Sequence, residues 1–309
     1  MKKFTIGVDV GGTNIKLGIV DAAGNILSQS RLSTESFIAN KQHLIEAIVS
    51  AIRELIQKNN LTKKDITGIG IGLPGLIDYK GGMVIFLPNI PGWKNVPLKR
   101  IIEKKTGIKT FIDNDVNVIA LGEWNYGVGK GYENLVYMTL GTGVGGGLIL
   151  NNKLYRGEGF AAGEIGHIPL NEKGPACNCG SWGCFERYVG NQTLLSNLKR
   201  IFKKDVRIPE AFELANRGDK KALAFWQQTA THIGNGLIGV VNLLNPRLIV
   251  IGGGVSNNYK FFHKTVEKII KQRAMKVQAK MVKIIRAKLG DSAGILGAQV
   301  LVNNALRER

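Results

Sequence analysis

The sequence predicts an α/β protein made of two similar domains, and two observations lead to this prediction. First, short apolar segments typical of strands alternate along the chain with segments of helical periodicity. Second, residues 4–27 and 135–155 resemble each other. Each predicts an apolar strand, a glycine turn, a second strand, a polar turn and the start of a third strand. Such an echo, about 130 residues apart, indicates two similar domains, with a boundary in the glycine-rich stretch near residues 117–130.

The first half is predicted to contain the strand meander, a helix, a buried strand, a short amphipathic helix and a second buried strand: residues 4–27, 41–58, 66–73, 97–105 and 109–115. The longer helix is supported by Leu44, Ile48 and Ile52, which fall on one helical face. Gly107 is expected to end the short helix, because glycine accepts the left-handed backbone that closes many helices.

The second half is predicted to continue the same alternation after its own meander. A long helix covers residues 219–244, and Pro246 lies beyond its end. It leads into a strand over 247–254, a further helix, a strand near 282–287, and a last helix after Ser292. Strands that alternate with helices in this way favour the α/β class over an all-β or all-α protein.

Composition and charge limit the functional classes. The chain has 44% hydrophobic and 21% charged residues, as soluble globular proteins do. Its apolar runs fall short of the roughly 18 residues of a membrane span, and its N-terminus lacks a signal-peptide core, so we expect a cytoplasmic protein without a membrane partner. The formal net charge of +19 suits nucleic acid, an anionic membrane or an anionic substrate such as a nucleotide. Because the lysines are scattered along helices without interleaved aromatics, we expect no nucleic-acid partner.

A glycine turn follows the first strand, in the sequence Asp9-Val-Gly-Gly-Thr-Asn. Without Cβ atoms, Gly11 and Gly12 allow backbone N–H groups to close on a phosphate oxygen. Asp9, at the end of the strand, is a candidate for orienting Mg²⁺ through water. The alternative is a plain hairpin turn.

A second turn, Gly141-Thr-Gly-Val-Gly-Gly, formally matches the G-x-G-x-x-G dinucleotide fingerprint. That fingerprint should open a helix, whereas here another strand follows, which argues against dinucleotide binding. A hairpin turn lined by Thr139, Gly141, Thr142 and Gly143 still suits phosphates. A third turn, at residues 252–254, allows a flat ring or a ribose to lie against the backbone.

All three cysteines of the chain lie in the stretch CNCGSWGCFE, as Cys177, Cys179 and Cys184. A disulfide would leave one thiol over, and cytosolic proteins rarely keep disulfides. The spacing C-x-C-x₄-C offers three soft ligands, and tetrahedral zinc takes a fourth, for which His167 is the candidate. A site with four protein ligands would be structural. The alternative is three free, buried thiols.

Taken together, IGVDVGGTNIKLGIVD, FIDNDVNVIALGE, LGTGVGGGLI, GEIGHIP, CNCGSWGCFE and LIVIGGGVS resemble the ROK family of sugar kinases and repressors. Within that family the chain is most similar to ATP-dependent glucokinases. The resemblance implies an actin-like, hexokinase-type fold of two ribonuclease-H-like domains, with the active site in the cleft between them. The implied division gives residues 1–117 plus a C-terminal helix at about 292–309 to a small N-terminal domain. Residues 118–291 then form a large domain with the zinc-binding loop.

The resemblance implies phosphorylation of glucose to glucose 6-phosphate by ATP and Mg²⁺, with Asp115 as general base. The implied sugar contacts are Gly75, Asn89, Asn114, Asp115, Glu164, His167 and Glu186. The implied nucleotide contacts are Asp9, Gly11, Gly12, Thr13, Asn14, Lys16, Thr139, Gly141, Thr142, Gly143, Gly253 and Gly254. The implied ligands of a structural zinc are His167, Cys177, Cys179 and Cys184.

Several alternatives stay open at the level of sequence. The acceptor could instead be N-acetylglucosamine, N-acetylmannosamine or fructose, and the donor ADP or polyphosphate. A non-catalytic sugar-sensing regulator is the rival from another class. Family repressors carry an N-terminal helix-turn-helix, whereas this chain begins at the first kinase strand, so we expect a kinase. Trp93 either stacks on a sugar or anchors a loop. A homodimer or homotetramer is usual for the family.

Overall fold

The computed structural model describes residues 3–34, 40–87 and 92–307. The predicted α/β class is confirmed. The strands of the described residues are, in chain order, β1 Phe4–Val10, β2 Asn14–Val20, β3 Ile26–Ser33, β4 Ile66–Leu73, β5 Leu76–Asp78, β6 Met83–Phe86, β7 Lys94–Val96, β8 Thr110–Asn114, β9 Leu135–Leu140, β10 Val144–Leu150, β11 Lys153–Tyr155, β12 Leu248–Gly252 and β13 Lys283–Arg286.

The α-helices of the same residues are α1 Lys41–Lys58, α2 Leu98–Thr106, α3 Asp115–Asn125, α4 Glu186–Val189, α5 Asn191–Phe202, α6 Ile208–Asn216, α7 Lys220–Leu244, α8 Tyr259–Arg273, α9 Lys276–Met281 and α10 Ala293–Arg307. The predicted long helix is confirmed as α7, and Asp219 caps it by accepting the N–H of Ala222. Gly107 ends α2 with a left-handed φ of 71°, as predicted. Among the described helices, none is both long and apolar enough to cross a membrane.

Two compact units make up the chain. The first contains Met1–Gly131, Leu154–Ala162 and Lys288–Arg309, and the second contains Tyr132–Lys153 and Gly163–Ala287. The domain division predicted from the sequence put residues 118–131 and 154–162 in the second domain, whereas both stretches belong to the first unit. Helix α3 explains part of the difference, because it begins before the predicted boundary and continues past it. The predicted domain boundaries themselves stay a prediction.

The first unit has a mixed sheet in the order β3-β2-β1-β4-β8. Strand β1 pairs antiparallel with β2 and parallel with β4, and β4 pairs parallel with β8. Strand β1 is buried along its whole length, and the apolar face of α1 joins the same core. Because parallel strands end at the same edge of a sheet, the turns after β1, β4 and β8 share that edge.

The second unit repeats this topology. Its sheet has the order β11-β10-β9-β12-β13, with β9 antiparallel to β10 and parallel to β12. Strand β13 extends it in parallel beside β12. Each strand therefore occupies the position of its counterpart in the first sheet, and the internal echo read from the sequence corresponds to a repeated topology.

Helix α10 packs so closely against the first sheet that its backbone lies next to glycine residues of the strands. A Cβ atom at Gly7 would overlap the carbonyl oxygen of Ile295, and one at Gly70 would overlap that of Ala298. On its other side, a Cβ at Gly297 would overlap the carbonyl of Val118 in α3. Glycines at these positions let α10 lie closer to the sheet than any side chain would allow, and most of the helix is buried.

We predict that Gly70→Ala lowers the free energy of unfolding by roughly 1–3 kcal/mol, because the added methyl group has to push α10 away from β4. The matched control is Gly239→Ala in α7, where the position is exposed and a Cβ would meet open space. There the same substitution should stabilise the protein by about 0.5–1 kcal/mol, because alanine favours a helix interior. Urea denaturation of both variants measures the difference, and a Gly70→Ala protein as stable as wild type would contradict this account of α10.

Candidate active site and metal centre

Four side chains of the second unit converge on one point: His167, Cys177, Cys179 and Cys184. Their ligand atoms all lie within 4.8 Å of one another. Cys177 Sγ is 3.6 Å from His167 Nδ1, and Cys179 Sγ is 3.6 Å from Cys184 Sγ. Around a tetrahedral zinc ion with bonds of about 2.0–2.3 Å, ligand atoms would be about 3.5–3.8 Å apart. The donor set and its spacing therefore fit such an ion.

The loop that carries these ligands is irregular and is held by a few backbone hydrogen bonds. Cys177 N donates to Ser181 O at 2.8 Å, and Gly180 N donates back to Cys177 O at 3.0 Å. Gly180 takes a left-handed φ of 92°, which glycine allows without strain. Burial raises the pKa of the Cys184 thiol to about 12, whereas a backbone hydrogen bond at Ser181 is the main cause that lowers the pKa of Cys179. A bound cation would favour the thiolate forms.

The residues with implied sugar contacts in this unit lie on the same loop. His167 turns Nδ1 towards the cysteines, and its Nε2 is 3.9 Å from the exposed Glu164 carboxylate. Glu186 follows Cys184 by two residues, and its Oε2 accepts the N–H of Val144 at 2.8 Å. Glu186 thus also contacts the turn at Gly143, an arrangement that the sequence did not indicate.

The second and third glycine turns come together in this unit. Gly141 N donates to Gly143 O at 3.0 Å, which closes the hairpin turn after β9. Gly253 has a left-handed φ of 80°, and a Cβ atom there would lie 2.7 Å from Thr139 Oγ1. Gly141 and Gly254 face open space at their Cβ positions. The structure therefore brings together the predicted phosphate turn and the predicted ring-binding turn.

In the first unit the turn after β1 is tight and partly open. Gly11 N donates to Asn14 O at 2.9 Å, and Gly12 and Thr13 are exposed. Lys16 Nζ is 2.7 Å from Asp291 Oδ1, and Arg31 pairs with the second oxygen of Asp291.

Asp9 is buried beside this turn. Its carboxyl group packs against Gly294 near the start of α10, where a Cβ would lie 2.5 Å from Asp9 Cγ. Burial raises the pKa of Asp9 to about 6, with Lys16 acting in the opposite direction and Asp291 adding to the rise. A cation near this carboxyl would favour its ionised form.

The corner after β8 differs from the predicted strand in one respect that matters. Strand β8 ends at Asn114, and Asp115 is the first residue of α3, so the strand predicted over residues 109–115 was one residue too long at its end. Asn114 Oδ1 caps the helix by accepting the N–H of Val116 at 2.9 Å. Asn114 Nδ2 donates to the carbonyl of Gly75 at 3.1 Å, which connects two of the implied sugar contacts.

Other predicted side chains have clear outcomes. Asn89 lies outside the described residues. Trp93 is 2% exposed and belongs to the core of the first unit, which supports the loop-anchor alternative over sugar stacking. The His232 ring packs against Tyr188, with ring centroids 5.0 Å apart and the ring planes inclined by 36°.

Three residues near these positions were missed in the sequence. Asp291 pairs with Lys16 of the first turn, and its place in Gly-Asp-Ser just before a helix was a usable signal. Asn191 N donates to Gly141 O at 2.9 Å and begins α5. Arg156 pairs with the buried Asp113, and no local pattern marked it.

Comparison with known proteins identifies the family. The family model described as "ROK family" matches residues 5–305. The chain belongs to the ROK family. It is 31% identical to the glucokinase of Thermotoga maritima, over 97% of this chain and 98% of that protein. It is 32% identical to the xylose repressor of Caldicellulosiruptor bescii, over 96% of this chain and 77% of that protein.

A solved structure of the same family confirms the predicted fold class. This is a ROK family glucokinase from Streptomyces griseus in complex with glucose and AMPPNP. It matches with a TM-score of 0.83 and 32% sequence identity, and the match covers 97% of this chain and 99% of that one. The resemblance read from the motifs is thus confirmed over nearly the whole length.

We predict that Asp9→Asn stabilises the protein at pH 8 more than at pH 4. The folded pKa of about 6 lies above the ordinary value of 3.8, so burial of Asp9 is tolerated below pH 4 and becomes destabilising as pH rises through 6. A shift of this size corresponds to about 3 kcal/mol at pH 8, which asparagine would largely remove. The control is Asp21→Asn, since hydrogen bonds with Asn25 lower the pKa of Asp21 and make that carboxylate stabilising. Urea denaturation across pH 4–8 measures both, and a gain for Asp9→Asn that does not change with pH would contradict the prediction.

Proposed function

We propose that the chain is a Mg²⁺-dependent kinase that transfers the γ-phosphoryl group of ATP to the 6-hydroxyl of glucose. The observation that carries the proposal is the corner at Asn114 and Asp115. Asp115 begins α3 directly after a strand end, with its neighbour fixed as the helix cap. It belongs to a chain that matches a glucose-bound ROK glucokinase over nearly its full length.

In this proposal Asp115 accepts the proton of the sugar 6-hydroxyl as that oxygen attacks the γ-phosphorus. Phosphoryl transfer requires little covalent chemistry from the protein, so the side chains act mainly by positioning the reactants and by neutralising charge. Asn114 and Gly75 are proposed to orient the sugar, with Asn89 as a further proposed contact. Glu164 and Glu186 accept hydrogen bonds from its other hydroxyl groups, and His167 forms a further hydrogen bond with one of them. An acceptor that bound sugar shields from water and leaves unpaired would penalise sugars that lack the matching hydroxyl, which is the proposed source of selectivity.

The glycine turns are the proposed phosphate and nucleotide contacts. Gly11, Gly12, Thr13 and Asn14 supply backbone and side-chain donors, with Lys16 as a positive charge nearby. Thr139, Gly141, Thr142 and Gly143 form the second set, and Gly253 and Gly254 leave room for the nucleoside. Asp9 is the proposed orienting group for Mg²⁺. Its carboxylate would accept hydrogen bonds from water molecules bound to the ion. Mg²⁺ would supply charge neutralisation on the transferred phosphates.

The cluster of His167, Cys177, Cys179 and Cys184 is proposed to hold a structural zinc ion. The 3.6 Å spacings of its ligand atoms support this, because they suit a tetrahedral ion with soft ligands. Four protein ligands leave no position open for catalysis. The ion would instead stiffen the irregular loop that carries Glu164 and Glu186. By family likeness we further propose a cytoplasmic homodimer or homotetramer that acts in carbohydrate breakdown.

A sugar-responsive regulator is the second candidate, and one observation favours it: the 32% identity to a xylose repressor over 96% of this chain. The carboxylate of Asp115 at the helix start supports catalysis instead. A kinase for another hexose would use the same residues with a different pocket shape at the sugar 2-position.

The deciding experiment is an assay of phosphoryl transfer against glucose, N-acetylglucosamine, N-acetylmannosamine and fructose, with ATP, ADP and polyphosphate as donors. We expect turnover with ATP and glucose. 6-Deoxyglucose, which lacks the accepting hydroxyl, should bind without being phosphorylated. Turnover of another hexose alone would replace glucose as the substrate, and binding without any turnover would favour the regulator.

We predict that Asp115→Asn lowers kcat by roughly 10²–10⁴-fold, as loss of a general base does, while the KM for glucose changes little because the amide keeps the shape of the carboxylate. The matched control is Asp205→Asn, the same change at an exposed side chain that pairs with Lys199, and it should leave kcat unchanged. Steady-state kinetics measure both variants. An Asp115→Asn protein with near-normal turnover would remove Asp115 from the mechanism.

We predict that Cys179→Ser, or removal of the metal by a chelator, weakens glucose binding by about 10–100-fold. The Kd for ATP should rise less, because none of the four metal ligands is among the proposed nucleotide contacts, although Glu186 of the same loop accepts the N–H of Val144. Ser181→Ala, in the same loop but without a ligand atom, is the control. Calorimetry and elemental analysis provide the measurements. Unchanged glucose affinity in protein shown to be free of zinc would refute the structural role.

A further inference from the structure

Arg156 lies in a short stretch that belongs to a different compact unit from the residues on either side of it. Residues Leu154–Ala162 belong to the first compact unit, although the chain immediately before and after them belongs to the second. The side chain of Arg156 is largely buried, with 17% of its surface exposed. A buried guanidinium needs partners, because an unpaired charge away from water is costly.

Two groups of the first unit enclose the guanidinium. Arg156 Nε is 2.7 Å from Asp113 Oδ2, and the Asp113 side chain is 2% exposed. The guanidinium carbon lies 3.9 Å from the centre of the Tyr79 ring, and this ring in turn packs edge-on against Phe160. The cation is thus held between a carboxylate and an aromatic face, an arrangement that suits the flat guanidinium group better than an ammonium.

The other oxygen of Asp113 holds the corner next to it. Asp113 Oδ1 accepts the backbone N–H of Asn114 at 2.8 Å and the side-chain amide of Asn117 at 3.1 Å. Asn117 sits in the first turn of α3, and Asn114 caps that helix. Asp113 therefore connects Arg156 to the backbone of Asn114 and to the side chain of Asn117, which lie on either side of Asp115 in the chain.

We propose that Arg156, acting through Asp113, is a positioning residue that fixes the orientation of Asp115 for phosphoryl transfer. This inference rests on the proposed function. With Arg156 in place, both oxygens of Asp113 are engaged and the peptide at residues 113–117 is held from one side. Without it, Asp113 becomes a buried carboxylate without its cation, and the strand end that carries Asn114 and Asp115 shifts to relieve it.

The test compares Arg156→Lys and Arg156→Ala with wild type. Lysine keeps the charge and loses the flat donor group, so we expect kcat to fall by roughly 10–100-fold, the size of effect that a 1 Å misplacement of a reacting group produces. The KM for ATP should stay within about twofold of wild type, since Arg156 contacts none of the proposed nucleotide residues. The matched control is Lys153→Gln, an exposed cation three residues away, which should leave kcat unchanged.

Chemical rescue separates positioning from mere folding. Guanidinium ion at non-denaturing concentration should restore part of the turnover of Arg156→Ala, whereas sodium chloride at the same concentration should not. The stoichiometry of glucose binding by calorimetry reports the fraction of folded sites, so that kcat is expressed per competent molecule. Arg156→Lys with wild-type kcat, or a fall in kcat that follows only the folded fraction without rescue, would overturn the positioning role.

The two proposals fail in different ways. An active wild type with unchanged Arg156→Lys turnover refutes the positioning role and leaves the proposed function intact. A wild-type chain that phosphorylates no hexose refutes both.

Discussion

The close approach of α10 to the first sheet is the constraint on which the geometry of the first unit depends. Where Gly7 and Gly70 let the helix backbone touch the strands, α10 begins directly beside the end of β1. That contact buries Asp9 and accounts for the rise of its pKa to about 6. The residues just before α10 reach the same place, because Asp291 pairs with Lys16 and Arg31. The first glycine turn therefore owes its surroundings to the far end of the chain.

In the second unit, a cluster of three thiols and one imidazole brings separate parts of one loop together. The loop from residue 164 to 186 has little regular secondary structure, so it relies on short-range contacts for its shape. The cluster brings residue 167 close to residues 177–184, and the hydrogen bond from Val144 N to Glu186 attaches the end of the loop to the sheet. One loop thereby reaches both the ligand cluster and the glycine turn after β9. Side chains on such a loop can be placed accurately only if all these contacts are present.

Much of this was accessible from the sequence because the signals were local. The apolar face of α1 repeats with helical period, the stop at Gly107 is a single residue, and three cysteines in eight residues with a nearby histidine leave few arrangements. The repeated strand meander predicted two similar domains, and the two five-stranded sheets have the same arrangement of strands. The small three-stranded sheet of β5, β6 and β7 was not predicted, since strands of three or four residues carry too little alternation to be recognised.

What the sequence could not supply were contacts made across long distances in the chain. Asp113 and Arg156 are separated by 43 positions, and neither lies in a pattern that indicates the other. The end of the strand predicted over residues 109–115 was placed one residue too late, because the cap formed by Asn114 starts a helix at Asp115. Side chains with long-range partners decide such details, and their partners have to be seen in three dimensions.

The way the first unit gathers three separate stretches of chain also bears on the order in which the protein matures on the ribosome. Its sheet is translated early, but the helix that covers one face of that sheet is translated after all the residues of the second unit. The second unit draws only on residues 132–153 and 163–287, so all of it leaves the exit tunnel before that helix does. Synthesis from the N-terminus thus leaves the earliest strands waiting with an uncovered apolar surface, a period in which a nascent chain depends on chaperones to avoid misassembly.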